Sequence, residues 1–132
     1  VEDEVKPLLN SHWEEIALNK DKIKLNPDWE AYEALEHQGK LKIFTARDDG
    51  QLVGYFVVIV GTNLHYKDHL FASNHRKGFT GIKLVKFAEK YLKDDGVSVL
   101  TINTKVHQPF DKLMDFLKFR KIERVYSKYL GE

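Results

Sequence analysis

The sequence of 132 residues contains no cysteine, and only three of its residues are proline. Without cysteine the chain cannot form disulfides, bind a metal through thiolates or use a cysteine nucleophile. An excess of either charge is also missing, because 21 Lys and Arg stand against 20 Asp and Glu. No global field would therefore recruit nucleic acid or an anionic membrane surface, and any anion site must be local.

Long apolar runs are absent as well. No segment approaches the roughly 18 apolar residues that a membrane-spanning helix requires, and the acidic residues 1–4 do not resemble a signal peptide. Together with the lack of cysteine, this predicts a soluble, cytoplasmic protein without a membrane partner. The chain does have 42% hydrophobic residues, enough for one core, and we expect residues 1–132 to form a single domain.

Two helices are predicted in the first third of the chain. Apolar residues recur at helical spacing over residues 5–18. Asn26 as the N-cap, Pro27 at the first helical position and Asp28 near the positive end predict a second helix, which should stop at Gly39.

The pattern then changes to that of strands. Residues 41–46 and 51–60 are strand-like runs joined by residues 48–50, Asp-Asp-Gly, and Asp-Gly is a strong hairpin signal. Because residues 53–60 are nearly all apolar, we expect a central strand covered on both faces. Residues 64–74 are rich in histidine and aromatics and show no clear period.

The last part of the chain alternates between helices and strands. The patterns predict a helix over residues 82–93, a buried strand over 97–106, a short helix that begins at Pro109 and a final strand over 122–130. The order α-α-β-β-(gap)-α-β-α-β predicts an α/β fold whose sheet is parallel near the last two helices.

A basic turn with two glycines, residues 76–81, runs directly into the predicted helix 82–93. Such a turn can expose backbone N–H groups where the helix dipole favours negative charge, and its cations suit phosphate. The turn predicts a site for a phosphorylated cofactor. Its candidate residues are Arg76, Lys77, Gly78, Phe79, Thr80, Gly81 and Ile82. The alternative is an ordinary loop-to-helix junction with glycines for geometry.

The order of elements and this turn resemble the GNAT superfamily of N-acetyltransferases over essentially the whole chain. The family's acetyl-CoA pyrophosphate motif, Q/R-x-x-G-x-G/A before a helix of the type x-x-L-L, is matched at Arg76, Gly81 and residues 84–85. Phe79 stands at the middle glycine, and Gly78 comes one residue early. The resemblance implies a GNAT-like mixed sheet with flanking helices.

The resemblance also implies an activity. Acetyl-CoA would be the co-substrate, with its pyrophosphate held by the N–H groups of the turn, and its acetyl group would pass to a primary amine by direct attack. The partner would be a small-molecule or protein amine rather than nucleic acid, and the chain would be a monomer or a homodimer. The alternative is a catalytically weak or inactive GNAT-like domain that binds CoA or a protein partner.

Catalytic candidates are fewer. An amine must lose a proton before it attacks, and His107, after the predicted strand 97–106, is the candidate base, with local capping as its alternative role. The family's tyrosine that often protonates the CoA sulfur is replaced by Met114, so Tyr126 is the candidate acid. Trp29 and Tyr32 are candidates for lining the acceptor pocket, although core packing is the default for such side chains.

His65 and His69 stand four residues apart, a spacing that lets two side chains share a metal on a helix. Their segment has no helical period and no carboxylate in the usual pattern. We therefore expect no metal.

One central strand of the family has no counterpart in the sequence. In the family, the strand that splays from its neighbour to admit the pantetheine arm comes just before the glycine turn, where only residues 71–75 are left here. That is too short for a hairpin return and a strand of five or six residues. We expect a missing strand, and residues left out between Asn74 and His75 rather than a deletion, which would leave the core open.

Overall fold

A four-stranded mixed sheet with helices on both faces carries the fold. The computed structural model describes residues 4, 22–74, 81–104 and 110–131, so the predicted helix over residues 5–18 lies outside the described residues. The elements are α1 (Trp29–His37), β1 (Leu41–Asp48), β2 (Gln51–Asn63), β3 (Tyr66–Asn74), α2 (Ile82–Asp94), β4 (Val97–Thr101) and α3 (Asp111–Phe116). None of these helices is long and apolar enough to cross a membrane.

The predicted hairpin is confirmed. Strands β1 and β2 pair antiparallel, and Asp48 faces Gln51 across a two-residue turn. Asp49 and Gly50 at its centre have φ angles of 51° and 78°. Positive φ at both central residues is what a type I′ turn requires, and its twist matches that of the strands.

Strand β2 is covered on both faces, as predicted. On one face Phe56, Val58 and Val60 pack against a cluster that includes Leu84 and Ala88 of α2. On the other face Tyr55, Val57 and Ile59 pack in a second cluster. That cluster includes three residues of α1, Trp29, Tyr32 and Leu35. Each large apolar side chain buried here contributes about 1.5–3 kcal/mol. The sheet is therefore the middle layer of three.

The expected missing strand is wrong for this structure, because β3 occupies its place. β3 pairs antiparallel with β2 and parallel with β4, so one strand is both the hairpin return from β2 and the parallel neighbour of β4. A two-residue turn at Leu64 and His65 makes this possible, with the Asn63 side chain accepting from the His65 N–H at 2.8 Å. The first half of β3 is exposed, so it lacks an apolar period.

Two predicted strands differ from the structure. Strand β4 is shorter than residues 97–106 and is not buried, since it lies at the edge of the described sheet and Val99 is exposed. Residues 122–130 form no strand, and Ile122 and Tyr126 are 65% and 85% exposed. β-Branched and aromatic residues favour strands only when an edge is present to pair with them, and no described strand pairs with this segment.

Helix α1 begins two residues later than predicted. Its N-cap is Asp28 rather than Asn26, and the Asp28 side chain accepts from the N–H of Ala31 at 3.0 Å. Pro27 therefore precedes the cap. The predicted stop at Gly39 is confirmed, since Gly39 has a φ of 73° and Lys40 donates to the Leu35 carbonyl. This is a Schellman motif with glycine in the left-handed position.

Helix α3 ends in the same motif without glycine. The N–H of Phe119 donates to the Met114 carbonyl at 2.9 Å, and the N–H of Lys118 to the Asp115 carbonyl at 3.0 Å. Lys118 has a φ of 66°. A side chain with a Cβ is strained in this region. The left-handed position explains why a glycine suits the middle of the Leu-Lys-Phe sequence at residues 117–119.

Lys118→Gly should raise the free energy of unfolding by about 0.5–1 kcal/mol, because glycine adopts the left-handed conformation without strain. The measurement is urea unfolding, in which the midpoint should rise with an unchanged slope. Lys118→Ala is the matched control. It removes the charge but keeps the Cβ, and an equal gain in both variants would contradict the backbone explanation.

Candidate functional site

The N-terminus of α2 is open. Its N-cap is Gly81, with φ 83° and ψ 160°, a conformation that is essentially restricted to glycine. Glycine has no side chain to accept from the first-turn N–H groups, in contrast to Asp28 at the start of α1. Nothing lies within 4 Å of the place that a Cβ of Gly81 would occupy. The helix therefore begins with uncapped N–H groups facing free space.

A depression of about 490 Å³ adjoins this helix end. It is lined by two residues of β1, Thr45 and Ala46, and by five at the start of α2, Gly81, Ile82, Lys83, Leu84 and Phe87. Phe87 contacts Phe44 edge to face, with ring centroids 6.1 Å apart. The lining is mostly apolar, with the Lys83 ammonium as its charged group. Such a mixture suits a ligand that combines an anionic part with an apolar part.

The carboxyl ends of the parallel pair β3 and β4 lie at the same edge of the sheet as the start of α2, because α2 is the crossover between them. Ligands of open α/β sheets bind beyond such strand ends. There the Asn74 side chain bridges to the backbone of Asn103, a contact that the sequence analysis missed. An asparagine at a strand end was its only signal.

The structure places the candidate cofactor residues only in part. Gly81 and Ile82 form the start of α2, while residues 76–80 and the candidate base His107 lie outside the described residues. Trp29 and Tyr32 contact each other with ring centroids 5.5 Å apart and pack on the second core cluster. Their contacts are those of core packing, and their role in an acceptor pocket stays a prediction.

The candidate acid and the two histidines lie elsewhere. Tyr126 is 85% exposed in the irregular segment after α3, and Met114 is half-buried on α3. His69 Nδ1 lies 3.0 Å from Ser98 Oγ across β3 and β4, whereas His65 is at the β2–β3 turn. The described part of the chain contains no group of three His, Asp or Glu residues that could hold a metal.

One acid on α2 has a perturbed ionisation. Burial raises the pKa of Glu89, and the nearby Lys86 ammonium opposes that shift. The folded protein therefore binds the proton more tightly than the unfolded chain does. This contribution to stability is fully present below the pKa of the unfolded chain and is lost as the pH rises through the raised pKa. At neutral pH the charged Glu89 therefore costs stability.

Glu89→Gln should make the protein slightly more stable at pH 7 and should give no gain near pH 3, because glutamine mimics the protonated acid. Thermal unfolding at the two pH values is the measurement. Glu33→Gln, at an exposed position on α1, is the control and should show no such difference. An equal gain for Glu89→Gln at both pH values would rule out the burial of charge as its cause.

Comparison with known proteins gives a fold. No protein-family model matches the chain, and no curated protein matches its sequence. Among solved structures, a transcriptional regulator from Bacillus halodurans C-125 matches with a TM-score of 0.74 and 14% identity, over 98% of this chain and 95% of its own. The aminoglycoside acetyltransferase meta-AAC0020, from an uncultured soil metagenomic sample, matches with a TM-score of 0.65 and 19% identity, over 99% and 91%.

A predicted acetyltransferase from Clostridium acetobutylicum, solved with acetyl-CoA, matches with a TM-score of 0.61 and 10% identity, over 96% of this chain and 91% of its own. Most of the matching structures are acetyltransferases. The chain has the fold of the GNAT superfamily, as the resemblance implied.

Proposed function

We propose that this protein is an N-acetyltransferase that transfers an acetyl group from acetyl-CoA to a primary amine by direct attack. The observation that carries the proposal is the uncapped start of α2, which opens at Gly81 beside a largely apolar depression. It lies at the carboxyl edge of the parallel strands, in a fold whose solved examples are mostly acetyltransferases. One of those examples contains acetyl-CoA.

The chain has groups that fit the two parts of this co-substrate. The first-turn N–H groups of α2 and the Lys83 ammonium suit the diphosphate, because a helix N-terminus attracts anions. The free space at Gly81 lets a ligand approach the backbone closely. We assign Arg76 and Lys77 to the same phosphates from the sequence motif. The apolar side chains of the depression suit the parts of the ligand that carry no charge.

The chemistry that we propose needs no covalent enzyme intermediate, and the chain has no cysteine to form one. Acetyl-CoA supplies the activated acyl group as a thioester. The acceptor amine loses its proton, a C–N bond forms at the carbonyl carbon, and the C–S bond breaks as the thiolate leaves. We assign the base to His107, and the proton for the thiolate comes from Tyr126 or from water, because Met114 cannot donate one.

Lys83→Glu should weaken acetyl-CoA binding at least tenfold, because it places a carboxylate where a phosphate would lie. Lys90→Glu is the matched control: it makes the same change at another exposed lysine of α2, two turns further from the N-terminus. The measurement is calorimetric titration of acetyl-CoA. Micromolar binding by the unchanged protein, about −8 kcal/mol, would support the proposal.

Two results would contradict this site. If the unchanged protein binds no acetyl-CoA, the proposed activity fails. If Lys83→Glu and Lys90→Glu weaken binding equally, the effect is one of net charge, and the start of α2 is not the place where the phosphates lie.

Met114→Tyr should raise the turnover of a primary amine more than tenfold if the departing thiolate lacks a proton donor, since general acids contribute roughly 10²–10⁴. Turnover is measured by release of free thiol from acetyl-CoA. Met114→Phe is the control, because it has the same ring without the hydroxyl. Equal turnover in the two variants would show that the phenolic proton is not used.

A second candidate is a domain of this fold that binds CoA or a protein partner with little catalysis. Methionine at position 114 favours it, and one of the matched structures is a transcriptional regulator. Turnover with a panel of amines separates the two. Tight acetyl-CoA binding without acetylation of any amine would favour the binding domain.

A further inference from the structure

The parallel pairing of β3 and β4 stops before β3 itself ends. The last paired residues are Ser73 and Thr101, although β3 continues to Asn74. On its other side the main chain of Asn74 is still paired with Val58 of β2. The backbone at Asn74 is therefore held by β2, and from this point its distance to β4 is no longer set by the ladder.

The Asn74 side chain takes over from the ladder. Its Oδ1 accepts from the backbone N–H of Asn103 at 2.7 Å, and its Nδ2 donates to the Asn103 carbonyl oxygen at 3.1 Å. The Asn103 side chain adds only a long contact of 3.4 Å to the same Oδ1. A primary amide offers the same donor and acceptor as a peptide group. The side chain of Asn74 thus replaces one rung of the backbone ladder.

This replacement sets a wider spacing. Paired strands lie about 4.8 Å apart, but here Cβ and Cγ of Asn74 stand between the β3 main chain and the hydrogen-bonding amide. Two hydrogen bonds to one residue fix both distance and orientation. The end of β4 can therefore neither close onto β3 nor separate freely, and the Asn103 backbone groups are satisfied without a partner strand.

We propose that Asn74 is a positioning residue that sets the width of the gap between the ends of β3 and β4 for the pantetheine arm of acetyl-CoA. This inference rests on the function proposed above. It makes a distinction within the ligand. The arm depends on the Asn74 bridge, whereas the adenosine and phosphate part depends on the start of α2.

The test is titration of two variants with two ligands, acetyl-CoA and 3′-phosphoadenosine 5′-diphosphate, the part of CoA that lacks the arm. Asn74→Ala should weaken acetyl-CoA binding at least tenfold and leave the affinity for the armless fragment within twofold. Asn103→Ala is the matched control. It keeps the backbone groups of the bridge and should bind both ligands as the unchanged protein does.

Amide hydrogen exchange provides a second measurement in the same variants. The Asn103 N–H should exchange faster in Asn74→Ala than in the unchanged protein, because it loses its acceptor. Asn74→Asp keeps that acceptor and loses the donor to the Asn103 carbonyl. It should show the same preference for the fragment over acetyl-CoA, and it replaces Asn74→Ala if the alanine variant does not fold.

Three results would overturn the inference. Unchanged acetyl-CoA affinity in Asn74→Ala would show that the bridge does not set the gap. Equal weakening of both ligands would show that Asn74 only supports the fold. If the unchanged protein binds neither ligand, the proposed function fails and the inference with it, a result distinct from the other two, in which the unchanged protein binds acetyl-CoA.

Discussion

Strand β2 presents large apolar side chains alternately to both faces of the sheet, and neither face can be left in water. Helix α1 covers one face and helix α2 the other. The position of α2 follows from this need, since Leu84, Val85, Ala88 and Leu92 on one side of the helix are buried. Because α2 is also the crossover between β3 and β4, covering β2 brings the start of α2 to the carboxyl edge of the parallel strands.

The two helices that cover β2 begin differently, and the difference separates stability from function. Asp28 satisfies an N–H of α1 with its side chain, whereas Gly81 at the same position of α2 satisfies none. Glycine at an N-cap costs only a few tenths of a kcal/mol relative to an aspartate or serine. A domain stabilised by a core on both faces of its sheet tolerates this small loss, which leaves N–H groups available to an anion.

Local signals were enough to predict part of the fold. The Asp-Gly turn defined the β1–β2 hairpin, and the apolar run and helical period defined β2 and α2. Strand β3 could not be predicted, because its first half is exposed and its identity as a strand depends on pairing with β2 and β4. The same dependence explains the error at residues 122–130, which have strand-forming residues and no described strand beside them.

The candidate site could be predicted only where it is local in sequence. The open start of α2 follows from a glycine at the junction of a turn and a helix, whereas Asn74 and Asn103 are 29 residues apart and meet only because β3 and β4 are parallel neighbours. Both features concern main-chain hydrogen bonding. At the end of β4 a side chain satisfies the backbone groups of Asn103, and at the start of α2 no cap side chain satisfies the first turn. A ligand that enters this edge therefore meets backbone donors on the helix and a fixed spacing between the strands, so that the two features together determine where it can bind.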